Sequence, residues 1–466
     1  MAALVYTVAL SIESIRDHEA FATGFDTAIY DQLLWLLANG HEPFSTVVSR
    51  PMLGDHFQPG LVLLTPLYWL GLGLPGLFVA QSVGLALTGP ALFALARAAG
   101  ASPALASIPA FLWLACPWVV AVNLFEFRPT AFMPCLLVVG VLAAIRDRYV
   151  LLAVTSLLAL SLKEDVSLIY VTLGALLFVH GKRWMGGILA LGSAIWFVGA
   201  SWIIESLSGS YEAFGQRYAG DRGDSVGDAL LWSLEHPVQT VSDIASQSLV
   251  GLVVLLLATG GVALLAPSWM LLAAPTALYN ALSAYAPQHD LAHHYHLGTL
   301  AGLFVAAAVG AARLPALGRL PRLAVTAVIS VSVAFAIVGG VRTHANSSMG
   351  IGLQPDQIRS VLGGIPPEVP VAAARSLLPH LSQRREIYTL PEPFIQLDWG
   401  SSLTPEELAE RARRVDFVAY VEGDQVKKFT TDDVEDEAPD ARPVLKRLGF
   451  VVVARSGPVE ILERRR

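Results

Sequence analysis

Asp26, Asp31, Asp55 and His56 are ionisable side chains set between residues 14 and 74 of a strongly apolar chain. Asp26 follows Phe25 at the head of an apolar helical pattern. A carboxylate held there, at a membrane surface, can take a proton from a hydroxyl while a lipid-linked partner approaches sideways from the bilayer. Asp55 and His56 lie in the turn GDHFQP, where they can orient a substrate or contribute to a metal site, although two adjacent ligand types do not make one alone. The plainer reading of all four is topological: outside carboxylates keep a loop in water and cap helices.

Two further charge groups interrupt apolar runs. The segment FEFRP places Glu126 and Arg128 in a turn of a few residues, and Lys163, Glu164 and Asp165 form a second such turn. Charges this close to hydrocarbon are costly unless paired or functional. They read either as internal salt bridges or, for Arg128 and Lys163, as cations that neutralise a phosphate. The string QHDLAHHYH holds His289, Asp290, His293, His294, Tyr295 and His296. Helical spacing would put His289 one turn from His293 and Asp290 one turn from His294, which a divalent metal could exploit; interfacial histidines more often simply hydrogen-bond. The stretch 208–237, with Tyr211, Tyr218 and Trp232, is amphipathic and fits either a lid or an aromatic interface belt.

The elements that must position these residues are membrane helices. Mean hydropathy is +0.56, and 54% hydrophobic against 15% charged residues excludes an ordinary soluble domain of this length. Apolar runs at 1–13, 75–97, 103–123, 129–145, 149–161, 165–180, 184–206, 238–258, 262–283, 295–312 and 323–341 predict about eleven spans. Of these, 149–161 and 165–180 are short enough to form one broken or hairpin element. Met1–Ile12 lacks a basic flank and a cleavage site and reads as a short first helix or remnant, with a start upstream left open.

Arg97, Arg146, Arg148, Lys182, Arg183, Arg313, Arg319 and Arg322 fall in tight turns, which the positive-inside rule places in the cytoplasm. Threading from those turns puts the N-terminus inside. It also puts eighteen of the nineteen Asp and Glu residues before Val341 outside, Asp147 being the exception. The long first outside loop, 14–74, carries an apolar pattern at 25–39. There Phe25, Ile29, Leu33, Leu36 and Leu37 share a face while Asp26, Asp31 and Gln32 lie off it, which predicts a helix along the membrane surface. Residues 59–72 read as a second such helix or a re-entrant segment.

From 345 to 466 composition changes. Candidate strands at 369–374, 386–390, 416–422, 449–455 and 458–462 alternate with helical patterns at 355–362, 375–383, 405–414 and 440–447. This predicts a small extracytoplasmic α/β domain following a transmembrane domain of residues 1–341. The acidic run 432–437 reads as a solvated loop, and no internal repeat is visible. Cys116 and Cys135 lie in apolar runs and read as core residues. A net charge of −7 argues against a nucleic-acid partner.

The strings FDTAIYDQLLWLLANG, GDHFQPGLVLLTPLY, FEFRP, KED, HHYH, PHLSQRREIYTLP and DFVAYVE together resemble the membrane-protein family known as domain of unknown function 2079. Arg128 stands where that family's turn usually carries a His. The family in turn resembles the class C glycosyltransferases, polytopic enzymes with a long first outside loop and an acidic residue soon after the first span. The resemblance implies inverting transfer from a polyprenyl-phosphate sugar to an acceptor, with Asp26 as the best match to the family's acidic residue and general base, and Asp55 second. Substrate contacts would come from Asp31, His56, Arg128, Lys163, Glu164, His294 and Tyr295, with a divalent metal optional. A transporter or flippase of a lipid-linked or polar solute would instead require ionisable groups in mid-span. A membrane-anchored binding or assembly protein would leave the loop carboxylates dispensable.

Overall fold

The computed structural model describes residues 1–208, 219–223, 226–291, 293–318, 355–396, 403–422 and 440–465, together with residues 215, 326 and 424. Among these, three helices are long and apolar enough to cross a membrane: Gly73–Ala98, Arg183–Ser208 and His294–Ala311. Two bent pairs, Pro103–Ala115 with Pro117–Phe125 (41°) and Pro237–Gln247 with Leu249–Ala258 (52°), raise that to five if each is one span. Length and composition among the described residues do not confirm the expected count of about eleven.

The reasons are local. Pro117 has no N–H to continue the preceding helix, and the run 262–283 is cut by Pro267 and Pro275 into single turns ahead of Ala274–Leu282. Tyr149–Leu160 and Val166–Val179 form two separate helices. Twelve residues rise only about 18 Å, short of a core of about 30 Å. The run 323–341 lies outside the described residues, apart from Thr326, as do Arg319 and Arg322.

Packing sorts lipid-facing from buried helices. On Arg183–Ser208, Trp184, Ile188, Leu191, Ile195, Val198 and Trp202 form an exposed stripe at helical spacing, fit for acyl chains. Its other face meets Val166–Val179 through glycine. A Cβ on Gly186 would come 2.4 Å from the Phe178 backbone nitrogen, so only small residues allow this crossing. Leu297–Ala311 is buried along its whole length, at the centre of the helical core.

The tail forms a five-stranded mixed sheet from β1 (Val371–Ala373), β2 (Ile387–Thr389), β3 (Phe417–Val421), β4 (Phe450–Ser456) and β5 (Val459–Arg464), in the order β2-β1-β3-β5-β4. β1 is parallel to β2 and β3; β5 runs antiparallel to β3 and β4. Strand alternation divides its side chains. Val371, Ala373, Ile387, Ala419, Val421 and Ile461 face one core, while Ala372, Tyr388, Val418, Tyr420 and Leu462 face another with Leu445 and Phe450.

The first core also contains Phe21, Ala28, Ile29, Leu33 and Leu34, so the sheet and the first loop share one hydrophobic interior. At the sheet edge, the Thr46 hydroxyl donates to Ile387 O (2.7 Å) and accepts from Ile387 N–H (2.9 Å). Edge strand β2 is thus covered by loop residues and is not left open to pairing.

This shared interior corrects the picture of a surface-lying amphipathic helix. Phe25–Ala38 is helical, but Asp31 and Gln32 on its presumed water face are fully buried beneath the tail. Residues 59–72 fold as a 3-10 helix, Pro59–Leu64, followed by the single turn Pro66–Trp69.

Candidate functional site

The N-terminal end of the Phe25–Ala38 helix meets the FEFRP turn. Helix starts leave unpaired N–H groups and a partial positive charge. Here the Thr27 N–H donates to Glu126 Oε2 at 2.6 Å, so a carboxylate from across the fold caps the helix that carries Asp26. Asp26 Oδ2 accepts a hydrogen bond from Arg128 Nη2. Gln81 fixes the turn: its Nε2 donates to Asn123 O (3.0 Å) and Glu126 O (3.2 Å), and its Oε1 accepts from Arg128 N–H at 2.7 Å. From the tail, Arg375 Nη2 approaches Glu126 Oε1 at 3.7 Å. Two carboxylates and two guanidinium groups, drawn from three distant parts of the sequence, form one cluster.

Glu126 is 3% exposed. Burial first and the Asp26 charge second push its carboxyl up to about 7, against the opposing pull of Arg128, Arg375 and the Thr27 N–H. A carboxyl poised near neutrality is a functional signature. Glu126 was legible in the sequence only as a partner for a salt bridge; its placement between Phe125 and Phe127 was the sole hint of burial.

The KED turn closes the other side. Lys163 Nζ lies 3.0 Å from Asp165 Oδ2, which also accepts from the Tyr279 hydroxyl at 3.1 Å. Glu164 accepts from Phe57 N–H (3.0 Å) and contacts His56 Nδ1 (2.9 Å), tying the GDHFQP turn to the KED turn. Burial alone would raise the Glu164 carboxyl, but His56 and Lys163 outweigh it and hold it down.

Between the two turns lies a cavity of about 60 Å³ lined by Arg128, Lys163, His56, His294, Tyr295 and Tyr30, among others. At the roughly 30 Å³ a water takes in the liquid, that is room for about two waters, a small polar pocket. Arg128 Nε and His294 Nδ1 are buried without hydrogen-bond partners.

The remaining residues of interest are placed elsewhere. Asp55 Oδ1 pairs with Arg50 at 3.0 Å, which holds the turn in shape. Asp31 accepts from the Tyr68 hydroxyl (2.6 Å), Gln383 Nε2 (3.2 Å) and the Ser382 hydroxyl, and so fastens the tail to the first loop away from the cavity. Burial raises the Asp31 carboxyl against those three bonds.

The helical spacing expected of QHDLAHHYH is not realised, because Ala286–Gln288 and His294–His296 are separate 3-10 turns. His289 contacts Ser248 Oγ and Ser283 O, while His293 faces Asp290 at 3.2 Å. Among the described residues no three His, Cys, Asp or Glu side chains gather closely enough to hold a metal ion. Trp232 stacks on His236 at 4.7 Å, with the Arg222 guanidinium 5.0 Å from its ring; Tyr211 and Tyr218 lie outside the described residues.

The helical core under its long first loop shares its overall fold with a solved structure. The structure of ArnT from Cupriavidus metallidurans bound to undecaprenyl phosphate aligns over 98% of this chain and 97% of its own, at 14% identity and a TM-score of 0.56. AglB, the oligosaccharyltransferase of Archaeoglobus fulgidus, solved with an inhibitory peptide and a dolichol-phosphate, aligns over 90% of this chain and 69% of its own, at 12% identity and a TM-score of 0.44. At such identity the ArnT likeness establishes fold alone. No curated protein sequence matches the chain. Residues 17–441 match the family described as predicted membrane protein DUF2079, and the chain belongs to that family.

Proposed function

We propose that the protein is an inverting glycosyltransferase that moves a sugar from a polyprenyl-phosphate donor to an acceptor at the outer face of the cytoplasmic membrane. In this reading the N-terminus lies inside and the tail outside. The observation that carries it is the orphaned Arg128 Nε in a cavity of about 60 Å³ that Lys163 also lines, with Asp26 on the same guanidinium. A buried donor without a protein acceptor calls for a water, an ion or a ligand to supply one.

Asp26 takes the proton of the acceptor hydroxyl as its oxygen bonds to the anomeric carbon. The bond from that carbon to the phosphate oxygen breaks on the opposite face, and the electron pair leaves with the lipid phosphate. Arg128 and Lys163 neutralise the departing charge, and His294 with Tyr295 and His56 shapes the pocket. Asp55, Glu164 and Asp31 act at one remove: the first two hold the turns, and Asp31 holds the tail.

The test is sugar transfer in membranes carrying Asp26→Asn. The mechanism predicts a loss of at least about a hundredfold, as for removal of a general base; undiminished transfer removes Asp26 from the reaction. A flippase would require ionisable groups within spans. The observed clustering at the turns does not favour it.

A further inference from the structure

A second, much larger cavity of about 810 Å³ opens at the other end of the Phe25–Ala38 helix. Asn39 at that end is thirteen residues from Asp26, about 20 Å along the helix. The volume lies within the range of small-molecule sites, about 300–1,000 Å³. Its walls come from the first loop, from the start of Gly73–Ala98 and from the tail turn that carries His380 and Gln383.

The lining chemistry is specific in kind. It contains no Lys, Arg, Asp or Glu. It offers the aromatic rings of Trp35 and Trp69, the amides of Asn39 and Gln383, and the imidazoles of His18 and His380. Trp69 is 68% exposed, yet its indole N–H donates to Ala38 O at 3.1 Å, so the ring is a fixed platform. The two imidazoles stack at 4.2 Å with an angle of 5° between planes. Asn39 Nδ2 is committed to Trp35 O and Gln383 Nε2 to Asp31, which leaves both amide oxygens as oriented acceptors.

Aromatic faces accept the C–H face of a pyranose ring, and amides and imidazoles pair with hydroxyls; a charged ligand would find no counter-charge. We infer that this cavity binds neutral pyranose units of a sugar chain, away from the point of transfer. That this chain is the acceptor rests on the function proposed above; that the cavity binds neutral sugar does not.

The experiment uses the full chain in lipid nanodiscs, so that no sugar-headed detergent competes. Neutral tetra- to hexasaccharides of glucose, mannose and N-acetylglucosamine are titrated against tryptophan fluorescence and by calorimetry. The inference predicts saturable binding by at least one series, weakened at least tenfold in both Trp69→Ala and Gln383→Ala and unchanged in Asp26→Asn. Melting temperatures confirm folding, and Asn39→Ala serves should Trp69→Ala not fold. Glycan binding retained in Asp26→Asn while transfer persists would sink the reaction but not the sugar site. No binding by any series, or binding indifferent to Trp69, Asn39 and Gln383, overturns the inference and leaves Trp69 as an interface anchor.

Discussion

Arg128→Gln should weaken binding of undecaprenyl phosphate, whereas Asp26→Asn should strengthen it. The Arg128 side chain is 12% exposed and Asp26 29%, so their charges are only partly screened. A hydrogen bond to a charged group contributes about 1.5–3 kcal/mol in such a setting, and about 1.4 kcal/mol is tenfold in affinity. Loss of the guanidinium therefore predicts affinity about 10- to 150-fold lower. Removing the Asp26 charge does the opposite. It frees Arg128 for the phosphate and deletes a repulsion of roughly 2–4 kcal/mol at an effective dielectric of about 20 and a separation of several ångströms. Lost positioning of Arg128 offsets part of this, so a gain of about tenfold is expected. The assay is equilibrium binding of labelled undecaprenyl phosphate to protein in nanodiscs, with uncharged undecaprenol as control. Equal affinities in wild type and both variants would refute the reasoning, as would a loss in Asp26→Asn as large as in Arg128→Gln.

Glu126 should make the fold sensitive to pH in an unusual direction. Its carboxyl lies near 7 when folded against about 4.5 when free, so the folded state binds more protons between those values, and stability falls as pH rises through that window. Melting curves should show this decline in wild type and a flatter profile in Glu126→Gln; parallel profiles would count against it. Asp31→Ala takes the acceptor from the Tyr68 hydroxyl and the Gln383 amide and leaves the Ser382 hydroxyl only Pro379 O, at about 1–3 kcal/mol. Hydrogen exchange should then rise in residues 371–389 and not in the Leu297–Ala311 helix. Gly186→Leu drives a side chain into the Phe178 backbone, and size-exclusion profiles should show loss of the folded species.

How much of this was legible beforehand depends on where each residue's partners lie. The tail strands were visible because their apolar runs, such as Phe417–Val421, are of strand length and set between charged helical patterns and Pro-rich turns. Asp26 stood out as an acid at the head of an apolar helix, and Arg128 and Lys163 as cations in turns too short to hide them. Asp31 was misjudged because its partners Ser382 and Gln383 lie about 350 residues away, and helical periodicity alone placed it in water. Glu126 escaped as a site residue for the same reason, since its raised carboxyl depends on a tail that buries it. Hydropathy averages over Pro117 and Pro267, which break hydrogen bonding without lowering apolarity, so an apolar run is not by itself one continuous helix.

The central claim concerns where a lipid phosphate sits. A structure of the protein in nanodiscs with undecaprenyl phosphate tests it most directly. The account predicts phosphate density hydrogen-bonded to Arg128 and Lys163, beside His294 and within reach of Asp26. A phosphate held instead at the opposite rim, among Arg97, Arg146 and Lys182, would contradict it.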